Sequence, residues 1–456
     1  MKMTASAHTT ELYYKKMTTT PVPGLIITLG IPTTVSMLIT SIYNMVDPYF
    51  VGTLGASQQA ATGILFTLQA IIQAVSFMLG QGSGTMVSKA LADRDTKEAS
   101  QYVSTAFFTG IAAGSTLTVT GLIFMNPLMR LLGSTDTIMP YAREYGLWVL
   151  LSCPLVVCSF ILNNNLRYEG KAFYAMIGLT FGGVLNIFGD YLLIRVIPLG
   201  VSGAGISTAA SQAVSFFILL YFHKKMAQGN ISLDAVSRNA RMYGTIMRIG
   251  FPAMVRQGLA SFSNGFLNNL TKSYGDAAIA AMSVVNRFSA FVMCVGLGVG
   301  QGFQPVASFN YQAGKYKRVK QGLLFTMAAS ACLIGVLALT GFLFAKPIVY
   351  AFQESREVNE IGAFALRWAC LGVVFLSLSV PTNMLYQSIR KPGISAVLSM
   401  FRSGLLLIPA LLIGTCFFGL RGIQLAQPVA DMLTGLLSIP FMLYFLKKTP
   451  DECGMP

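Results

Sequence analysis

The chain has 456 residues, of which 54% are hydrophobic and only 11% charged, with a mean hydropathy of +0.62 and a formal net charge of +15. A soluble domain carries about 25% charged residues, so a water-soluble fold is excluded and the chain is divided into apolar spans of about 20 residues. The runs are too long and too continuously apolar for barrel strands, which leaves an all-α integral membrane protein.

Residues 1–22 are polar and Thr-rich without a signal-peptide apolar core, and read as a mobile cytoplasmic tail. Apolar spans follow at 24–46, 57–83, 100–126, 142–163, 173–195 and 201–222, a six-helix bundle over 23–225. Residues 226–243 hold Gly229, Asn230, Ser232 and Ser237 and read as a cytoplasmic linker. Spans at 246–270, 278–303, 321–345, 361–386, 395–417 and 423–445 make a second six-helix bundle over 244–448, before a C-terminal tail at 449–456. The total is twelve transmembrane helices. An even number per half gives both halves the same orientation, so the repeat is parallel.

The second half restates the first. Gly30, Pro32, Val35, Ser41, Asn44, Gly55, Ala60 and Ala61 recur as Gly250, Pro252, Val255, Ser261, Asn264, Gly275, Ala280 and Ala281, and Gly80-Gln81-Gly82 recurs as Gly300-Gln301-Gly302, all at an offset of 220. Further on, Leu166-Arg167-x-x-Gly170 matches Ile389-Arg390-x-x-Gly393 at 223, and Gly200-x-x-Gly203 matches Gly419-x-x-Gly422 at 219. On these registers Asp47 faces Leu267, Asn186 faces Pro409, Asp190 faces Ile413 and Thr208 faces Gln427. The first half keeps polar groups that its twin lacks.

The positive charge is a topology signal. With loops assigned alternately to two sides, one side holds 21 Lys and Arg residues and the other 7, which places both termini in the cytoplasm of a multi-pass cell-membrane protein. Its partner is the lipid bilayer, and nucleic acid is not expected. The seven cysteines form no metal-ligand spacing and the only histidines are His8 and His223. With no nucleotide or zinc motif either, neither an enzyme nor an ATP-driven pump is expected, and no cofactor. An ion gradient is the remaining energy source.

Of the 17 acidic residues, only Asp47, Asp190 and Asp431 lie inside or at the edge of a span, where a carboxylate is costly unless protonated, paired or hydrated. Tyr43 precedes Asp47, and Asn186 precedes Asp190, by four residues, so each pair shares a helix face. Thr208 adds a hydroxyl. These oxygens suit a proton relay or a hard cation such as Na⁺ equally, so the coupling ion is H⁺ or Na⁺. Asp431 pairs with Arg402 or Arg421, or joins the chemistry. Buried amides and soft methionines suit a permissive cavity. The expected substrate contacts are Asn164, Asn264, Asn268, Gln301, Met293 and Arg287.

Asn44-Met-Val-Asp47-x-x-Phe50-Val51-Gly52-x-Leu54-Gly55 resembles the first-span signature of the multidrug and toxic compound extrusion (MATE) transporters. Leu185-Asn186-x-x-x-Asp190, Gly200-Val201-x-Gly203-Ala204-Gly205 and Thr208 resemble that family's fifth and sixth spans, and Arg167-x-Glu169-Gly170 its loop between the fourth and fifth. The resemblance implies a V-shaped pair of pseudo-symmetric six-helix bundles, functional as a monomer, that exports small organic cations or drugs in exchange for H⁺ or Na⁺ by alternating access. It maps the ion ligands onto Asp47, Asn186, Asp190 and Thr208, with Tyr43 nearby. Pro48, directly after Asp47, departs from the family pattern. The alternative reading is a flippase of lipid-linked saccharides or another amphipathic lipid-like substrate, which calls for a strongly basic cavity. A membrane-embedded transferase calls for clustered acids or a catalytic histidine.

Overall fold

The computed structural model describes residues 2–352 and 355–450. Among these the chain is helical, with no strand. The order is α1 (Lys2–Thr19), α2 (Val22–Gly52), α3 (Ala56–Ala92), α4 (Thr96–Ile123), the short α5 (Met125–Leu131), α6 (Met139–Tyr168), α7 (Ala172–Asp190), α8 (Gly200–Met226) and α9 (Ala240–Thr271). The second half adds α10 (Asp276–Gln312), α11 (Tyr316–Leu343), the short α12 (Ala345–Phe352), α13 (Arg356–Val373), α14 (Leu376–Ser388), α15 (Pro392–Met400), α16 (Leu407–Phe418) and α17 (Leu420–Lys448). Wide π-helical turns at Tyr191–Val196 and Phe401–Leu405 prolong α7 and α15.

Ten helices in the described residues are long and apolar enough to cross a membrane, and α13 with α14, bent by 46° at their junction, form an eleventh span. The twelfth is α9. Its 32 residues reach about 48 Å at 1.5 Å per residue, but Arg248, Arg256, Gln257, Asn264, Asn268 and Asn269 make it the most polar of the set.

The chain forms two compact units, residues 1–16 with 35–257 and residues 17–34 with 258–456. Helix α2 therefore gives its first stretch to the second unit and the rest to the first, and α9 divides at Gln257. In the first unit α6 is the hub, packed on α3, α4 and α8, while α7 pairs with α8. The second unit repeats this plan: α13 and α14 pack on α10, α11 and α17, and α16 pairs with α17.

The repeat persists at atomic detail. Gly55 and Gly275 cap α3 and α10 with φ of 148° and 90°, a region open to glycine at little cost. The Asn163 amide donates to the Ala175 carbonyl at 3.0 Å, and Asn383 to Ser395 at 2.7 Å. Helix α6 closes with Lys171 N–H on the Leu166 carbonyl, and α14 with Lys391 on Tyr386. These pairs keep the 220 offset through residue 391, so the 223 register expected from Arg167 and Arg390 is corrected. Arg167 ends a helix, whereas Arg390 sits in the following turn with φ of 59°, in the place of Gly170. The positions matching Asn186 and Asp190 then fall at Leu405–Leu406 and Pro409–Ala410, still without a polar side chain.

Glycine permits the close crossings. A Cβ on Gly82 would overlap the Ile246 carbonyl and one on Gly250 the Met78 carbonyl, while one on Gly302 would overlap the backbone of Gly30. Gly82 and Gly250 meet in the first unit, and their repeat mates Gly302 and Gly30 meet in the second.

One segment departs from expectation. Residues 2–19 form a helix rather than a mobile tail. Tyr13 of α1 is buried, its hydroxyl donating to the Tyr168 carbonyl at 3.2 Å and its ring lying on Gly170. Glu11 pairs with Arg94 at 3.1 Å, and Arg94 lies over the Tyr14 ring. The linker is held just as firmly. Gln228 and Gly229 donate backbone N–H groups to buried Glu169, at 2.6 and 3.3 Å. Asn230 and Ser232 donate to Ser100 and Ser104 of α4, and Ser237 to Thr105.

Candidate functional site

All five residues expected to handle the ion converge in the first unit. Helix α2 continues through Pro48 to Gly52, so Asp47 remains on a helix and one turn beyond Tyr43. Asn186 and Asp190 close α7, and Thr208 lies in the third turn of α8. Their side chains meet because α7 and α8 pack tightly: the Ser207 hydroxyl donates to the Asn186 carbonyl at 2.9 Å, and Gly189 leaves room for Ser207. The Asn186 amide donates to Thr208 Oγ1 at 3.2 Å.

Helix α6 supplies a residue that sequence reasoning missed. Tyr145 is fully buried, donates its hydroxyl to Asp47 Oδ2, and lies 3.5 Å from Thr208 Oγ1. A usable signal existed: the first and fifth spans end, and the fourth and sixth begin, on one membrane side, which gives Asp47, Asp190, Tyr145 and Thr208 one depth. Tyrosine is too common at span ends for that alone to single it out.

Tyr43, Asp47, Asn186 and Thr208 line a cavity of about 40 Å³, with Gln69 and Gln212 adding amides. That is room for one or two small occupants such as water or a bare ion. Asp190 is fully buried, and neither of its carboxylate oxygens has a hydrogen-bond partner; the same holds for Asp47 Oδ1 and Asn186 Oδ1. An unpaired buried carboxylate costs several kcal/mol when ionised. A proton on one acid or a cation between the oxygens would remove that cost. The π-helical turn starting after Asp190 widens the helix there, a distortion frequent at functional sites.

Asp431 is engaged otherwise. In the second unit it accepts from Arg402 Nε and from Gln427 Nε2, both at 2.9 Å. Of the two arginines expected as its partner, the structure selects Arg402.

The expected substrate contacts divide between the two units. Asn164, in the first unit, is fully buried, donating to the Phe160 carbonyl at 2.7 Å and accepting from Arg167 at 2.6 Å. The others belong to the second unit: Asn264, Asn268 and Arg287 are exposed, Met293 packs against the unit's apolar core, and Gln301 is buried. Among the described residues no group of three His, Cys, Asp or Glu side chains forms a metal cluster.

Comparison with known proteins fits this frame. The chain is 26% identical over 439 residues to the multidrug export protein MepA of Staphylococcus aureus (strain MSSA476), covering 96% of each. It is 24% identical over 430 residues to MepA of Staphylococcus haemolyticus (strain JCSC1435), covering 93% of this chain and 94% of the other. Its fold matches a crystal structure of MATE in complex with MaL6 with a TM-score of 0.89 at 24% identity, covering 95% of this chain and 98% of that one. It matches an outward-facing multidrug resistance MATE family transporter of the MOP superfamily with a TM-score of 0.89 at 23% identity, covering 95% and 97%. The family model named MatE matches twice, at residues 32–192 and 252–413, once in each half. The chain is therefore an all-α, twelve-span membrane protein that belongs to the MatE family, the multidrug and toxic compound extrusion transporters.

Proposed function

We propose that this protein is a secondary antiporter that exports small organic cations or drugs in exchange for H⁺ or Na⁺. The observation that carries this reading is that Asp47 lines a small cavity with Asn186 and Thr208 while Asp190 is buried one turn beyond Asn186, both acids with oxygens unpartnered. That the MepA relatives are multidrug export proteins supports the substrate class. An acidic cavity disfavours a flippase of anionic lipid-linked saccharides.

In this reading the ion and the drug alternate. Occupation of the site by H⁺ or Na⁺ removes the charge that Asp47 presents to Tyr145. The α2–α6 link weakens, and the end of α2 repacks. Alternating access follows because the ion binds one arrangement better than the other, and only that difference can shift the populations. Both termini lie in the cytoplasm, the protein works as a monomer, and the chain needs neither a cofactor nor an enzymatic step.

The test is ethidium efflux from energised membrane vesicles, with pH and Na⁺ gradients imposed separately, for wild type and Asp190→Asn. Efflux that follows one gradient and vanishes in the variant identifies the ion and supports the site. Efflux indifferent to the substitution removes the site from the mechanism. Absence of wild-type efflux under both gradients rejects antiport of this substrate class.

A further inference from the structure

The second half contains the counterpart of the void beside the ion site, and the two differ in what fills them. Gly200 and Gly419 open α8 and α17 with φ of 63° and 57°. Gly203 and Gly422 then lie against the backbone of the preceding helix in each unit. This fixes the register at 219, so Gln427 stands where Thr208 stands, and Asp431 where Gln212 stands. On the facing helix, the residue matching Arg402 is Gly182 or Gly183, at an offset of 220 or 219. In the first unit those two glycines, with Asn186 and Gln212, line a second small void of about 10 Å³. In the second unit the same place holds the Arg402 guanidinium, bonded to buried Asp431. Each half has a π-helical turn in this span, carrying Arg402 in the second and starting after Asp190, further along the helix, in the first.

We propose that Asp431, its carboxylate also accepting from the Gln427 amide, forms a second cation site whose permanent occupant is the protein's own Arg402. The proposal rests on the antiporter reading for the meaning of the first site, but the chemistry of the second stands on its own geometry. A carboxylate oxygen buried between the last two spans of a repeat is the ligand type proposed for the ion in the other half. The guanidinium supplies a covalently tethered positive charge in place of a mobile one. Asp431 therefore does not exchange protons or Na⁺ in the native protein, and coupling is confined to the first half. Removing Arg402 alone converts Asp431 into an exchangeable site.

The test uses purified full-length protein and counts protons taken up on acidification from mildly alkaline to mildly acidic pH, with and without Na⁺. Wild type, Asp431→Asn and Arg402→Gln/Asp431→Asn are expected to take up equal numbers. Arg402→Gln is expected to take up about one more than the double variant, and Na⁺ to compete for that extra proton. Equal uptake by Arg402→Gln and the double variant overturns the proposal. So does wild type exceeding the double variant, a comparison that stands even if the single variants fail to fold, because the double variant leaves no buried charge unpaired. Ethidium efflux is not read in this experiment, so loss of the antiporter reading and loss of this one are separate results.

Discussion

The hydroxyl of Tyr145 donates to Oδ2 of Asp47, joining the middle helix of the first unit to the end of the first span. The bond gives Asp47 one committed oxygen and leaves the other without a partner. A hydrogen bond to a charged group contributes about 1.5–3 kcal/mol. Tyr145→Phe is therefore expected to slow gradient-driven ethidium efflux about tenfold and to lower the melting temperature of the purified protein by a few degrees. A variant with full gradient dependence would show that the bond is only structural.

The glycine crossings carry a contrast within one helix. Gly250→Ala drives a methyl group into the Met78 carbonyl, whereas a methyl at Gly258 meets nothing within 4 Å. The first substitution is expected to destabilise by about 1–3 kcal/mol. The second should be neutral or stabilising by up to about 1 kcal/mol, because alanine favours helix. Thermal melting of the two purified variants checks the sign of each.

Tyr13→Ala removes the ring on Gly170 and the bond to the Tyr168 carbonyl. Helix α1 is expected to detach, and limited trypsin cleavage at Lys15–Lys16 to rise several-fold. Arg94→Ala breaks an ion pair whose side chains are more than half exposed. It should change cleavage little, since exposed pairs contribute about 0–1 kcal/mol.

Burial raises the Glu169 carboxyl above its ordinary value of 4.5, opposed by Lys171 and by the backbone donors Gln228 and Gly229. A folded-state value above the unfolded one means that the folded protein holds this proton more tightly. The associated stability is present below the unfolded value and is lost as pH rises through the folded one. Glu169→Gln, which cannot ionise, is thus expected to gain stability relative to wild type as pH rises from about 4.5 upward. Melting curves of both proteins across that window decide it, and a constant difference would mean that Glu169 is ionised throughout.

Much of this architecture was legible because membranes restrict the choices. The twelve spans and the two halves follow from apolar length and the 220 repeat, and Asp47, Asn186, Asp190 and Thr208 stood out because carboxylates and their polar companions are rare within spans. Tyr145 did not, since nothing local distinguishes a tyrosine that meets an acid from one at a lipid interface. The tail was misjudged for a similar reason: a polar, Thr-rich composition does not disclose that Tyr13 has a glycine-floored seat waiting at residue 170. The Arg167–Arg390 register failed because a motif match scores residue types and ignores whether each lies in a helix or in the turn beyond it. The partner of Asn164 was equally out of reach, because residue type does not say which amide meets an arginine such as Arg167.

The bonds that pin residues 228–237 to α4 and Glu169 also decide where this chain can be opened. A polar segment joining two repeats is where a reporter domain or an affinity tag would ordinarily be inserted. Here an insertion would pull away the backbone donors of Glu169 and the hydroxyl-bound turns over Ser100 and Ser104. The tight bend at Gly133, where a side chain would meet nothing within 4 Å, is bonded mainly within its own turn, Gly133 to Arg130 and Ser134 to Met129, and is the better place for a graft.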